Sequence, residues 1–410
     1  MEDRSQELPR LKRSLTLLPT VLYGLGVTIG AGIYVLIGIA AGRAGMHAPL
    51  AFLIAALLLS LTACSFAELA GRLPVSASEA AYVREGLGSP LLALIVGLLV
   101  IAAAIVAAAA ISVGSAGYVR AFVDLPEVVV VALVVLLMGG VAAAGINESI
   151  GLAGVMTVIE IGGLLVIIVA GLMAEPAMIA RLPEVVPAPS SQAWLGILGT
   201  AMIAVFAFVG FEGLVNIAEE VKEPERTLPR AIFLTLGVTA ILYFLVIWVC
   251  VTTVPADQLA ASRAPLGLVF EKVTGGSPLT LSAVAIVATL NGIIVQIIMA
   301  SRVTYGLARQ GSLPSALAGV DARTRTPLLA TGLVVASTLV LAVALPLERL
   351  AEESSRLILV IFALVNLALL GIKVREAGNR AEKPRHFSVP WPVPLAGAVS
   401  CVLFLVASLL

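Results

Sequence analysis

The sequence predicts an all-α polytopic membrane protein with about eleven transmembrane helices. Of its 410 residues, 60% are hydrophobic and 12% are charged, and the mean hydropathy is +1.10. Soluble domains carry roughly 25% charged residues. Uncharged stretches of the length that crosses a bilayer, about 20 residues, recur along the chain. None of these stretches alternates polar and apolar residues, as the strands of a membrane barrel would.

The predicted spans follow the uncharged runs in chain order. Span 3 is the longest, because no charged residue interrupts the run from Gly86 to Val119. Span 10 has the shortest uncharged run, from Leu357 to Ile372. The eleven predicted spans are residues 17–41, 48–70, 89–118, 128–146, 150–173, 193–217, 229–254, 278–306, 327–346, 355–372 and 393–410.

Glycine clusters interrupt two of the spans. A glycine costs up to about 1 kcal/mol in a helix interior, so such a cluster allows the helix to unwind. Unwound backbone is tolerated at membrane depth only where it lines a cavity or meets a polar ligand. Close helix packing is the alternative interpretation. The clusters are Gly24, Gly26, Gly30 and Gly32 in span 1, and Gly210 and Gly213, with Glu212 between them, in span 6.

The two clusters head two similar blocks of five spans. Interrupted helices at matching places in two halves indicate the binding site of a transporter. An odd number of spans per block inserts the second copy upside down, which predicts an inverted repeat. The predicted divisions are a cytoplasmic leader (1–16), a first repeat (17–173), a second repeat (174–372, with an inner loop 218–229 and an outer loop 255–277), and a linker with one further helix (373–410).

Basic residues in the loops predict the orientation. With a cytoplasmic N-terminus, 18 of the 25 lysines and arginines fall on the inner side. Such an excess is typical of cytoplasmic loops. We therefore expect an integral protein of the plasma (inner) membrane with its N-terminus in the cytoplasm and with lipid around its helices.

The composition also excludes several classes of function. The 25 basic residues are balanced by 25 acidic ones, which argues against a nucleic-acid partner. The three cysteines lie far apart, and His47 and His386 lie outside the apolar runs, so we expect no metal site, no cofactor and no enzyme. No phosphate-binding GxxxxGK[ST] motif is present. A secondary carrier is the leading interpretation, and a sensor that keeps the carrier fold is the alternative.

Polar residues at membrane depth are candidate functional groups. Glu160 in span 5 and Glu212 in span 6 would each cost at least about 2.5 kcal/mol if charged there, and either is a candidate proton acceptor. Asn291 and Gln296 in span 8 either contact a substrate or join helices through a hydrogen bond of about 0.6 kcal/mol. For Asn291 we favour the helix-joining role.

Four segments resemble the amino acid–polyamine–organocation (APC) superfamily of permeases. This superfamily shares the five-plus-five inverted-repeat fold of the leucine transporter, with helices 1 and 6 broken. In the fourth segment Ala77 and Ser78 replace the usual glycines, and most members have twelve spans rather than eleven. The segments are TIGAGIY (Thr28 to Tyr34), FVGFEGLVNIAEEVKEPERTLPRAI (Phe208 to Ile232), SRVTYGLARQGSLP (Ser301 to Pro314) and PVSASEAAYVREGLG (Pro74 to Gly88).

The resemblance implies an amino acid bound between the two breaks. The amides of Gly30, Ala31 and Gly32 begin a half-helix whose positive dipole end suits the carboxylate. The ammonium would meet backbone carbonyls, and Phe206 would cover the ligand as a gate. The alternative is that Phe206 and Phe208 are lipid- or core-facing fillers. The carbonyls and remaining contacts implied are those of Thr28, Phe206, Ala207, Val209, Gly210 and Gln296.

The way in which the resembled family couples transport to a cation cannot be carried over directly to this chain. Several members place a lysine in span 5, where this chain has Glu160. Glu160 could couple a proton, stay protonated and join helices, or share an ion site, and Glu212 is the other deep carboxylate. An amino acid is favoured over a polyamine by the resemblance alone. The small apolar lining suggests a neutral substrate.

Overall fold

The computed structural model describes residues 13–30, 32–74, 78–145, 150–188, 190–377 and 386–408, with the side chains of 78 and 150–153 left out. The α-helices among them are α1 (Leu17–Ile29), α2 (Gly32–Ala44), α3 (Ala48–Arg72), α4 (Ser78–Leu87), α5 (Pro90–Val119), α6 (Glu127–Ala143), α7 (Ile150–Ala174), α8 (Ser191–Phe208), α9 (Pro224–Thr253), α10 (Ala256–Ala261), α11 (Pro265–Thr274), α12 (Pro278–Arg309), α13 (Leu328–Ala344), α14 (Leu347–Ala377) and α15 (Pro392–Ala407). Short 3-10 helices cover Gly45–His47, Pro176–Val185, Phe211–Glu220 and Ser315–Ala318.

The predicted all-α membrane fold is confirmed. Among the described residues, seven helical stretches are long and apolar enough to cross a membrane. The helices α1, α6, α13 and α15 are apolar but shorter. Each predicted span falls on one of these helices or on a helix broken in two, while the number of spans and the inverted repeat remain predictions.

Several long helices begin at a serine followed by a proline. The Ser89 hydroxyl accepts a hydrogen bond from the Leu92 amide at 3.3 Å, and Ser277 accepts one from Leu279 at 3.4 Å. These hydroxyls satisfy amides that have no partner inside the helix. The prolines that follow fit the first turn, where no amide is needed. Such caps place the starts of α5 and α12.

Broad apolar faces remain exposed on the outer helices. Leu133 on α6, Leu333 and Val340 on α13, and Leu403 on α15 are 52–66% exposed. In a soluble protein such faces would drive association. In a membrane protein they contact lipid, so these helices form the periphery of the bundle.

The bundle has two ends, which we call the N-terminal face and the opposite face. At the N-terminal face, Leu15 pairs with Val221 in a parallel bridge, and the Ser14 amide donates to the Glu220 carbonyl at 2.9 Å. This pairing ties the start of α1 to the end of the 3-10 helix that follows α8. At the opposite face, Arg43 at the end of α2 forms ion pairs with two glutamates at the start of α14.

A buried carboxylate organises the N-terminal face. Glu68, near the end of α3, is fully buried. It accepts hydrogen bonds from Arg72 at 2.6 Å, from Lys373 of α14 at 2.8 Å and from the Val389 amide at 2.8 Å. A buried charge is tolerated when it is paired and hydrogen-bonded in this way. The cluster joins α3, α14 and the segment that leads into α15.

Candidate functional site

The two broken helices cross at the centre of the bundle. Helix α1 ends at Ile29, and α2 begins at Gly32. Helix α8 ends at Phe208, and the chain turns through Gly210 into the 3-10 helix Phe211–Glu220. Gly210 has φ +136°, a conformation that L-residues with a side chain rarely adopt. Both breaks fall where the glycine clusters predict them.

Two glycines let the broken helices approach each other closely. A Cβ atom at Gly210 would lie 2.8 Å from the Thr28 Cα atom. A Cβ atom at Gly32 would overlap the Ala207 backbone. These glycines therefore serve close packing, as the alternative interpretation holds, and the same crossing also borders a cavity.

Tyr243 of α9 connects the two breaks. Its hydroxyl oxygen lies 2.9 Å from the Thr28 carbonyl oxygen and 3.0 Å from the Ala207 carbonyl oxygen, and the residue is fully buried. These are two of the carbonyls predicted to meet a substrate ammonium. In this structure the phenol is the donor placed between them.

A small cavity lies beside the crossing. Its volume is about 20 Å³, which is close to the space that one water molecule needs. The buried Gln296 Oε1 atom has no hydrogen-bond partner among the described residues. Five predicted site residues line this cavity, namely Thr28, Gly32, Phe206, Val209 and Gln296. Its other walls come from Gly26, Val27, Ile111, Asn291, Gly292 and Val295.

A second cavity continues from the first toward the N-terminal face. The two share Val27, Val209, Val295 and Gln296. The second has a volume of about 40 Å³ and includes Gly210 and Glu212. Ala103, Ala104 and Ala107 of α5 also line it, so the alanine-rich face of span 3 leaves space rather than only packing.

A wide vestibule follows the second cavity. It has a volume of about 790 Å³ and shares Glu79 and Val100 with the second cavity. Its wall includes Arg84, Gln310 and Ser312 at the N-terminal face. The three spaces thus form a route from the crossing to one end of the bundle.

Four of the predicted site residues do not appear in the wall of the first or the second cavity. Gly30 and Ala207 lie in the breaks, Ala207 against Gly32. Glu160 is also absent from both walls. Ala31 lies outside the described residues, so its predicted contact with a carboxylate stays a prediction.

Glu160 is fully buried behind the first break. Its Oε1 atom accepts a hydrogen bond from the Asn291 side chain of α12 at 3.5 Å. The Tyr34 hydroxyl of α2 donates to the Glu160 backbone carbonyl at 2.8 Å. A Cβ atom at Gly30 would lie 3.4 Å from Glu160 Oε2. The carboxyl group thus sits where α7, α12 and the break between α1 and α2 meet, and Asn291 joins helices as expected.

Glu212 caps the second break. The Gly210 amide donates to its Oε2 atom at 2.8 Å. Because the carboxyl group returns to the start of its own 3-10 helix, it satisfies an amide that the break exposes. Glu212 also lines the second cavity, so capping and contact with a passing ligand are compatible.

The two phenylalanines beside the second break have different surroundings. Phe206 lines the first cavity, and its amide donates to the Ser355 hydroxyl of α14 at 3.1 Å. Phe208 is fully buried, with its ring 5.1 Å from that of Tyr243 and 6.2 Å from that of Phe52. Phe208 is therefore a core residue.

Tyr243 and Ser355 contact the site but do not stand out in the sequence. Both hydroxyl groups serve backbone atoms of the breaks from helices that are distant in the chain. The sequence shows only that each hydroxyl group lies in an apolar span. It does not show which backbone group that hydroxyl binds.

Comparison with known proteins gives one consistent result. The amino acid permease family profile matches residues 15–410. The chain is 29% identical to the branched-chain amino acid permease BcaP of Bacillus subtilis, covering 97% of this chain and 88% of that protein. It is 34% identical to the uncharacterized transporter Mb2022c of Mycobacterium bovis, covering 96% and 86%. It is 28% identical to the vacuolar cationic amino acid transporter 4 of Arabidopsis thaliana, covering 89% and 64%.

The family match spans nearly the whole chain, including both broken helices and all three cavities. It agrees with the all-α membrane fold and with the predicted resemblance. The protein is therefore an amino acid permease of the APC superfamily, an integral membrane protein that transports amino acids.

Proposed function

We propose that this permease moves neutral amino acids with branched or otherwise apolar side chains by alternating access. The observation that carries the proposal is the cavity at the crossing of the two broken helices. Its walls combine exposed backbone of α1 and α8 with apolar side chains and two buried amides, Asn291 and Gln296. Pockets of this kind bind small zwitterions through backbone groups and leave the side chain in apolar surroundings.

The substrate backbone would bind the breaks themselves. The carboxylate would accept hydrogen bonds from amides at Gly30, Ala31 and Gly32, at the positive end of the α2 dipole. The ammonium would donate to carbonyls at Thr28, Ala207 and neighbouring positions. The neighbouring positions are Phe206, Val209 and Gly210. The Gln296 side chain would also contact the substrate.

The lining supports an apolar side chain on the substrate. Ile111, Phe206, Val209 and Val295 surround the first cavity. The similarity to a protein named as a branched-chain amino acid permease supports the same class. Because the cavity measures about 20 Å³, a substrate of this size requires the walls to move apart.

A cationic amino acid is the second candidate. Glu79 and Glu212 both line the second cavity, next to the proposed site. Two carboxyl groups there favour a positively charged side chain. The similarity to a cationic amino acid transporter supports this candidate. Polyamines and other organic amines share the charge but lack the carboxylate for the amides of the first break.

The proposed transport cycle uses three further residues. Phe206 would cover the bound substrate, and Glu212 would hold the second break. Glu160 would exchange a proton when water reaches it, which makes the carrier a proton symporter; pure exchange is the alternative. In this proposal the N-terminal face is cytoplasmic, because the basic residues favour that side, and the membrane is the plasma (inner) membrane.

Ligand-induced thermal stabilisation of the purified protein tests the substrate class. Leucine, isoleucine and valine should raise the Tm by mass action, while 3-methylbutylamine, which lacks the carboxylate, should not. Val295→Phe should abolish the shift because the new ring fills both cavities. Val303→Phe is the matched control, since Val303 lies on the same helix and lines only the vestibule.

The outcomes separate the candidates. Stabilisation by arginine but not by leucine would overturn the neutral class in favour of the cationic one. An equal shift with 3-methylbutylamine would contradict binding of the carboxylate. Substrate counterflow in proteoliposomes then separates a carrier from a sensor, because a sensor binds without moving labelled substrate.

A further inference from the structure

A fourth cavity lies beside the vestibule, with which it shares Arg302. It has a volume of about 460 Å³ and lies at the N-terminal face, where α6, α12 and the segment before α13 meet. Its walls include Ala142, Ile298, Arg302, Tyr305, Arg325 and Thr331. Its size suits a small charged headgroup, and no residue that the transport proposal assigns to the substrate lines it.

One wall of this cavity is a closed turn. The Asp321 amide donates to the Thr326 carbonyl at 3.0 Å, and the Arg325 amide donates to the Asp321 carbonyl at 3.0 Å. The Thr326 hydroxyl donates to the Ala143 carbonyl at 2.8 Å, which fastens the turn to the end of α6. The turn is therefore a fixed part of the bundle.

The only acidic side chain of this turn is engaged within it. The Asp321 carboxylate accepts hydrogen bonds from the Thr324 amide at 2.9 Å and the Arg323 amide at 3.0 Å. These bonds lower the pKa of Asp321. The Asp321 Oδ1 atom accepts both of these bonds from the turn's own backbone, and among the described residues Asp321 forms no ion pair with Arg302 or Arg325.

Two arginines supply the charge of the cavity. Within the part of the chain that the structure describes, neither the Arg302 nor the Arg325 guanidinium takes part in an ion pair or a side-chain hydrogen bond. Arg325 also has φ +55°, which is uncommon for a residue with a side chain. Backbone strain of this kind is often found at ligand sites, where the surrounding structure enforces it.

Two arginines that are unpaired among the described residues favour an anionic ligand, and the surroundings of the cavity indicate which kind of anion fits. The cavity lies where the exposed apolar faces of α6 and α13 end, including Leu137 at 60% and Leu329 at 56% exposure. Basic pockets between helices at a membrane surface suit phospholipid headgroups. We propose that this cavity binds the phosphate of an anionic phospholipid, with Arg302 and Arg325 as its ligands and the acyl chains along α6 and α13.

Lipid titration of the detergent-purified, full-length protein tests the proposal. Dioleoyl phosphatidylglycerol should raise the Tm of the wild type more than dioleoyl phosphatidylcholine, which has the same chains. The double variant Arg302→Gln/Arg325→Gln should bind phosphatidylglycerol about 25-fold more weakly, given the usual contribution of each basic residue near anionic lipid. The double variant Arg302→Lys/Arg325→Lys keeps both positive charges and should retain most of the binding to phosphatidylglycerol.

Arg323→Gln is the matched control, because Arg323 lies on the same turn and does not line the cavity. It should bind as the wild type does. Equal effects of the two lipids, equal losses in Arg323→Gln and the double glutamine variant, or unchanged binding in that double variant would each overturn the proposal. Inorganic phosphate that reproduces the full effect would show a site for free phosphate and would also overturn it. Size-exclusion profiles confirm that each variant is folded.

Discussion

Tyr243 carries a hydroxyl group that the apolar pattern of α9 does not require. Its oxygen lies between the carbonyl oxygens of Thr28 and Ala207, and the residue is fully buried. A buried carbonyl that loses its hydrogen-bond donor destabilises a protein. The Tyr243 hydroxyl group therefore stabilises the crossing of the two broken helices.

We expect Tyr243→Phe to lower the stability of the protein. The ring and its packing stay, but both carbonyls lose the phenol, which costs about 1–3 kcal/mol. Thermal unfolding of the purified protein measures the effect. Tyr305→Phe serves as control, because the Tyr305 hydroxyl lies at the N-terminal face, where Arg309 of the same helix donates to it at 3.3 Å. Equal Tm values for wild type and Tyr243→Phe would refute the role.

Glu160→Gln tests proton coupling at the residue scale. Glutamine keeps the shape and the contact with Asn291, but it cannot titrate. The variant should still exchange labelled substrate in proteoliposomes, while accumulation driven by an imposed pH gradient should fall to the level without a gradient. Glu212→Gln is the comparison, since it removes the other deep carboxyl group. Gradient-driven accumulation that persists in Glu160→Gln but disappears in Glu212→Gln would assign coupling to Glu212.

At the scale of elements, the breaks depend on glycines that allow two backbones to touch. Gly32→Ala should push α2 away from α8, because the new methyl group would overlap the Ala207 backbone. Such overpacking costs about 1–3 kcal/mol. The matched control is Gly237→Ala in α9, where a Cβ atom meets nothing within 4 Å, and which should be neutral or stabilising by about 0.5–1 kcal/mol. Thermal unfolding compares the two variants, and a similar Tm for both would contradict the close-packing role.

Hydrophobic runs and glycine clusters were sufficient to predict the long helices and both breaks. Short helices outside the apolar runs were missed, namely α4, α10 and α11, because their sequences are less apolar and too short for a membrane span. The site was predicted in part. Thr28, Phe206 and Gln296 line the cavity, but the partnership of Tyr243 with Thr28 and Ala207 depends on tertiary packing, and a single sequence does not specify which distant residues meet.

Across the whole molecule, the route from the crossing leads to one face while ion pairs hold the other face together. Arg43 of α2 donates to Glu348 at 2.5 Å and to Glu352 at 2.6 Å, both on α14. Helices α10 and α11 also cover this face, and a Cβ atom at Gly38 would lie 2.9 Å from the Leu259 carbonyl oxygen. The structure is therefore open toward the N-terminal face and closed at the opposite one.

Arg43→Gln should make the opposite face open more often. Partly exposed ion pairs contribute about 0.5 kcal/mol each, so the loss of both pairs, about 1 kcal/mol, should raise the open population by about fivefold. The labelling rate of a cysteine at Ile111, with the native cysteines replaced, measures this when a membrane-impermeant reagent is added from that face. Arg356→Gln is the control: its side chain is 29% exposed, against 30% for Arg43, but it pairs with Glu353 on its own helix and donates to Ser408 after α15 rather than joining α2 to α14. Equal labelling rates in both variants would refute the role of the Arg43 ion pairs in holding α2 against α14.

The N-terminal pairing of Leu15 with Val221 has a mechanical consequence. Helix α1 contacts the segment after α8 at the Leu15–Val221 bridge, where Gly24 faces Leu214, and where Gly210 rests against Thr28. A segment that is hydrogen-bonded to a helix at one end and packed closely against it at the other has little freedom to slide along that helix. We therefore expect α1 and the 3-10 helix Phe211–Glu220 to move as one unit in any change that widens the vestibule.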